Sequence, residues 1–150
     1  MYDWFNPFNV YIHGITEEDV KDALTFDLLW QEIAPMIEGK FLIAHNAGFD
    51  FSVLRRTLDA YEIPYPNLQY SCSYIFSKKV WSGLSSYDLL SLCHINGIDL
   101  PTHRAADDSL ACAHLSLKAF KTAGLHSFDD FTPKLQTTIG KLFPGGYNPS

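Results

Sequence analysis

The sequence predicts a mixed α/β domain built around a parallel pair of strands. Three features point there: an apolar run at 41–45 followed at once by a helical pattern, a second short run at 68–74, and a long amphipathic pattern over 105–122. Helices alternating with short strands are the signature of parallel pairing through helical crossovers. The 150 residues are the length of one domain, and 47% hydrophobic with 19% charged residues is a globular composition. A net charge of −6 argues against a polyanion binder that works through a broad basic surface. It leaves room for a nucleic-acid enzyme that grips its substrate through metal ions.

Residues 1–15, aromatic and broken by Asn, Pro and Gly, read as loop with a short extended piece. Thr16 followed by Glu17, Glu18 and Asp19 is a helix start, a hydroxyl cap with acids in the first turn. Phe26, Leu29, Trp30, Ile33 and Ile37 share one helical face, and Pro35 is expected to kink or shorten that helix. A strand at 41–45 leads into a helix over 48–61, and a second strand covers 68–74. Ser86 is read as the cap of a helix reaching about His94 and ended by Asn96-Gly97. A last helix spans 105–122, and the turn-rich tail "FPGGYNPS" reads as loop or the start of a linker.

Two acids stand out on a helical wheel. Asp50 falls within about 60° of Val53, Leu54, Thr57 and Tyr61, opposite Ser52, Arg55, Arg56 and Asp59. Asp108 shares a stripe with Ala111, Cys112, Leu115 and Ala119, whereas Asp107 lies with His114 and Lys118 on the polar side. An isolated ionised carboxylate is costly to bury unless it is paired, protonated or bound to metal. Helix dipoles offset only about 0.3–1 kcal/mol each. Divalent cations would satisfy both acids, and all-oxygen ligation favours Mg²⁺ or Mn²⁺ over zinc. The competing reading is that each Asp simply caps backbone N–H groups at a helix start.

His103 precedes Asp108 by five residues, about 500° of helical rotation, so it belongs to the loop before that helix and can swing over the same site. A histidine beside metal-bound water suits a general base near neutral pH. His13, His45, His94, His114 and His126 are read as structural.

"HNAGFD" (45–50) and "HRAADD" (103–108) resemble the second and third motifs of the DnaQ-like 3′–5′ exonucleases, in the version with a catalytic histidine (DEDDh). Also similar are "YIHGITEEDV" (11–20), a strand and loop "YSCSYIFSKK" (70–79) and "SSYDLLSLC" (85–93), so that the resemblance covers residues 6–120. It implies a ribonuclease H-like three-layer fold and removal of nucleotides from a 3′ end as 5′-monophosphates. It also implies two Mg²⁺ or Mn²⁺ ions held by Asp50 and Asp108, with His103 as general base. Asn46 and Phe49 match the motif, with roles in loop geometry and packing or in substrate binding. Phe51 is open to two readings, stacking on a terminal base or packing in the core. The implied partners are single-stranded or frayed 3′ nucleic-acid ends and polymerase or repair proteins of DNA replication and repair. Lys78, Lys79 and Arg104 are candidate phosphate contacts, although exposed cations are ordinarily just solvated.

The resemblance also implies a first motif, Asp-x-Glu, ahead of "HGIT"; the sequence begins past it, and Asp3 has no acid two positions on. The exonuclease domain, 1–125, is therefore expected to be N-terminally incomplete and without its central strand, with 126–150 a C-terminal extension or start of a linker. Two carboxylates against four positive charges are expected to bind metal weakly and cut poorly. The alternative is an inactive exonuclease-like fragment that binds protein or nucleic acid; a third is an unrelated metal phosphohydrolase. Cys72, Cys93 and Cys112 are odd in number and widely spaced, which fits reduced thiols rather than disulfides or a zinc site. With no apolar run of membrane-span length and no signal-peptide layout, a cytoplasmic protein is expected.

Overall fold

A computed structural model describes residues 6–101 and 104–150, with residues 12 and 13 described by their backbone alone. Asp3, His103 and the side chain of His13 lie outside what is described. In order, the elements are α1 (Pro7–His13), α2 (Glu17–Val20), α3 (Phe26–Ile37), β1 (Phe41–Ala44), α4 (Ala47–Ala60), β2 (Leu68–Cys72), α5 (Ser73–Val80), α6 (Leu89–Asn96), α7 (Ala105–Thr122), a 3-10 turn (Phe128–Asp130), α8 (Phe131–Leu135), β3 (Gly140–Phe143) and β4 (Gly146–Asn148).

The strands form one sheet in the order β1-β2-β3-β4. β1 and β2 are parallel, with Phe41 opposite Gln69 and Ala44 opposite Cys72. β3 pairs antiparallel with β2, setting Leu68 against Leu142 and Tyr70 against Gly140, and β4 pairs antiparallel with β3. Side chains alternate across the strands. Leu42, Ala44, Leu68, Tyr70 and Cys72 pack with Ala47, Phe51 and Leu54 of α4 on one face. Phe41 and Ile43 pack on the other with Phe76 of α5, Ala119 and Phe120 of α7, and Phe131 and Leu135 of α8. Helices on both faces make three layers, which is why the parallel strands read as continuous apolar runs.

Several expectations are corrected. Residues 7–13 are helical rather than loop: Asn6 caps the start through Phe8 N–H at 2.9 Å, Pro7 opens the first turn, and Gly14 at φ 71° closes it. Residues 73–80 are helical where strand and loop were read; Phe76 anchors that helix in the core at 0% exposure. The cap of α6 is Asp88, not Ser86, and Gly97 at φ 64° ends it as expected. α3 runs through Pro35 and stops two residues later.

The tail is not loop. Pro144 and Gly145, the latter at φ 91°, form the turn between β3 and β4, where a left-handed second position calls for glycine. The hairpin is tied down by Leu142 at 1% exposure, by the Tyr70 hydroxyl donating to the Asn148 carbonyl at 3.3 Å, and by the Arg55 guanidinium 3.7 Å above the Tyr147 ring. Gly140 lets this happen, because a Cβ there would stand 2.5 Å from the Tyr70 ring. That ring cannot retreat, being stacked on Phe51 with centroids 3.9 Å apart.

Gly140→Ala is therefore expected to destabilise the fold by about 1–3 kcal/mol, the usual cost of overpacking. A urea midpoint unchanged by the substitution would show that the Tyr70–Phe51 stack yields.

Candidate active site

β1 ends at Ala44, and the chain turns sharply into α4 through His45 and Asn46. Asn46 takes a left-handed conformation, φ 66° and ψ 45°, which asparagine tolerates better than most residues. The turn sets Asp50 in the first turn of α4, and Asp108 sits in the first turn of α7. Both carboxylates line one open pocket of about 530 Å³, together with Ile43, Ala44, His45, Asp88 and Cys112. Asp107, the neighbour of Asp108, instead lines a separate groove with His114 and Lys118.

The wheel for α7 holds residue by residue, since Ala111, Cys112, Leu115 and Ala119 are all buried. For α4 it is rotated. The buried stripe is Ala47, Phe51 and Leu58, Val53 is exposed, and Asp50 lies on the flank of that stripe at the pocket mouth rather than facing the interior. Although the Asp50 side chain is accessible, the apolar wall beside it pushes its carboxyl above the usual value, outweighing its own backbone N–H and the nearby His45.

Asp88 is a third acid in the pocket that the sequence reading did not single out. Its two oxygens are already engaged: Ser86 donates to one, Ser91 N–H reaches the other at 2.8 Å, and Ser91 Oγ donates at 2.6 Å. These bonds hold its carboxyl down to about 2. Its work is capping α6, and the motif "SSYD" with Ser three residues on carries the signal.

His45 is half-buried and tied at both nitrogens. Nε2 lies 3.0 Å from the Tyr87 carbonyl, which only accepts, so Nε2 carries the hydrogen in the neutral ring. Nδ1 then accepts from Ser73 Oγ at 2.9 Å. Ser73 Oγ in turn lies 3.4 Å from both the Ala44 carbonyl and Cys112 Sγ. One ring thus joins the end of β1, the start of α5, the loop before α6 and, through Ser73, the face of α7 that carries Asp108. Burial holds His45 below its ordinary value.

Of the remaining expected site residues, Asn46 and Phe49 are exposed, Phe49 at 65%. Phe51 is 5% exposed against Tyr70, a core residue with no face free for a base. Among the described residues no group of three or more His, Cys, Asp or Glu side chains is arranged to hold a metal ion. Asp50 and Asp108 nevertheless offer the hard oxygen donors that suit Mg²⁺, which is commonly held by one or two carboxylates with water and substrate phosphate.

The sequence profile of the exonuclease family (RNase_T) matches residues 3–116. The chain belongs to the exonuclease family. A DNA polymerase III subunit epsilon-like protein of Rhodobacter capsulatus is 33% identical over 125 residues, 78% of this chain and 17% of that protein. The 3′-5′ exonuclease DinG of Staphylococcus saprophyticus is 28% identical over 116 residues, 77% of this chain and 13% of that protein. The chain therefore spans less than a fifth of the length of these relatives. Among solved structures, exonuclease X in complex with 5′ overhanging duplex DNA superimposes with a TM-score of 0.65 at 23% identity, over 86% of this chain and 73% of that one. The fold is ribonuclease H-like. All three cysteines are buried and free, and no helix among the described residues is long and apolar enough to cross a membrane.

In this exonuclease-family chain the lowered affinity of His45 for a proton has a consequence for stability. The unfolded histidine takes up its proton near 6.5, whereas the folded one resists it. Its contribution is complete above 6.5 and is lost as pH falls through the folded value. Urea midpoints should therefore fall between about pH 7 and 5, and this slope should flatten in His45→Gln. A slope identical in both forms would show that the ring is not protected from protonation.

Proposed function

We propose that this chain is a metal-dependent 3′–5′ exonuclease domain that hydrolyses nucleic acid from the 3′ end to 5′-monophosphates. The observation that carries this reading is the sorting of neighbouring acids: Asp108 joins Asp50, from a different helix, in one pocket, and Asp107 turns away to another groove. A capping role alone gives no reason for two acids on separate helices to meet. The relatives named 3′-5′ exonuclease and epsilon-like support the same chemistry.

In this reading Asp50 and Asp108 hold Mg²⁺ or Mn²⁺. The ions, when bound, activate water and stabilise the charge that develops on the phosphate oxygens. The raised proton affinity of the Asp50 carboxyl favours its pairing with a cation over leaving it charged and alone. His103 takes a proton from the attacking water. Asn46 holds the turn that aims Asp50, and Phe49, exposed one residue before it, offers a face for the terminal nucleotide. Ile43 and Ala44 of β1, Leu89 and Leu90 of α6 and Ala105 of α7 supply the apolar part of the pocket wall.

A 5′-labelled single strand incubated with Mg²⁺ or Mn²⁺ should shorten from its 3′ end with release of 5′-monophosphates, and EDTA should stop it. Asp50→Asn and Asp108→Asn should each lower the rate about a hundredfold or more, the scale of lost metal charge stabilisation, with Asp107→Asn within a few-fold of the parent. His103→Ala should slow hydrolysis by about two to four orders of magnitude while metal binding by calorimetry is spared. Equal effects at Asp107 and Asp108, or internal cuts in place of 3′ shortening, would refute the assignment.

A further inference from the structure

The acids that line the pocket repel a polyanion, and a compensating cation stands on α5. We propose that Lys78 is a phosphate-binding residue for a nucleic-acid strand entering the pocket, a role that rests on the exonuclease reading for the identity of its ligand. Its ammonium lies 4.2 Å from the centre of the Tyr74 ring and 5.8 Å from that of Tyr87. Those rings meet edge to face at 6.4 Å and 79°, and the Tyr74 ring stands 5.8 Å from His45, which lines the pocket.

The platform is fixed. The Tyr87 hydroxyl donates to the Trp81 carbonyl at 2.7 Å and accepts from Leu84 N–H at 3.2 Å, and the Tyr87 carbonyl accepts from His45 at 3.0 Å. Tyr74 is partly buried against the core on the α4 side of the sheet. A lysine on a mobile stem loses rotamer freedom when it grips a ligand; one already lying across two held rings loses less. The ion pairs Lys21–Glu18 and Lys134–Asp130 lie elsewhere in the molecule, and among the described residues no carboxylate is paired with Lys78. Asp50, Asp88 and Asp108 stand in the adjoining pocket. The aromatic faces take one side of the ammonium and leave N–H donors for a phosphate oxygen. A cation interleaved with aromatic rings is the chemistry that holds single strands without reading their sequence, and here the rings adjoin the pocket through His45.

The test is fluorescence anisotropy of a short labelled single-stranded oligonucleotide, its 3′ end protected by phosphorothioate linkages, titrated with the chain in Mg²⁺ at several salt concentrations. Lys78→Met keeps the stem on the rings and removes the charge. It should bind several-fold more weakly at low salt, with the slope of log affinity against log salt reduced by about 0.7, the value of one phosphate contact on a single strand. Lys78→Arg should restore both, since a guanidinium keeps the charge and stacks on the same rings. Inorganic phosphate competing away the Lys78-dependent part at low concentration would make free phosphate the ligand and overturn the strand assignment. An unchanged slope in Lys78→Met, or no salt-dependent binding by the parent chain, also overturns it. Cleavage of an unprotected strand by the parent chain reads the exonuclease reading separately: failure there with a reduced slope in Lys78→Met leaves the phosphate site standing.

Discussion

The parallel register of β1 with β2 is the constraint on which the site depends. Ala44 lies opposite Cys72, so the residues that follow, His45 and Ser73, emerge side by side at the carboxyl ends of the two strands. In open α/β sheets that end is where ligands bind, because the crossover helices start there and their backbone N–H groups point into the same space. His45 and Ser73 then bond to each other, and the ring carries the connection to the loop before α6. A shift of β1 by one residue would reverse which of Phe41–Ala44 face α4 and would remove His45 from Ser73. Sheet register, pocket wall and carboxylate placement are one arrangement.

What was legible in the sequence followed from pattern length. Eighteen residues of α7 give five turns of evidence, enough to set Asp108 and Asp107 on different faces, which line separate pockets although both residues are half-buried. α4 has fourteen residues, but its apolar positions on two adjacent stripes compete, and the wheel chose Val53 and Leu54 over the true centre at Ala47, Phe51 and Leu58. Tertiary packing on Tyr70 decided the matter, and no local signal reports a partner nineteen residues away. α5 was missed for a different reason: eight residues rich in Tyr, Ile and Phe carry strand propensity, and only burial of Phe76 between α7 and α8 makes the helix. The terminal hairpin has strands of four and three residues, too short for any period to register, so its Pro-Gly turn read as the whole of it.

The same hairpin answers a question the sequence left open. Two parallel strands alone make a marginal sheet. Here β3 covers the edge of β2 opposite β1, and Leu142 completes the apolar layer beneath α4. β1 remains the other edge among the described strands, with Phe41 and Ile43 lining apolar hollows against α7 and the turn after it. Among the described residues the sheet is thus covered at the β2 edge and open at the β1 edge.

That asymmetry bears on the electrostatics. A chain of net charge −6 meets a nucleic acid with repulsion at long range, weakened over about 8–10 Å by physiological salt. Close in, the sign of the local field matters more than the total. Asp88 is spoken for by Ser86 and Ser91 and acts as a fixed negative wall, whereas Asp50 and Asp108 keep oxygens facing the pocket. The surroundings of Asp50 disfavour its charged form, so a cation brought near it is stabilising. A cation held between these acids would offset the repulsion that they impose on a polyanion, so the pocket would accommodate a phosphate better with a cation than without one.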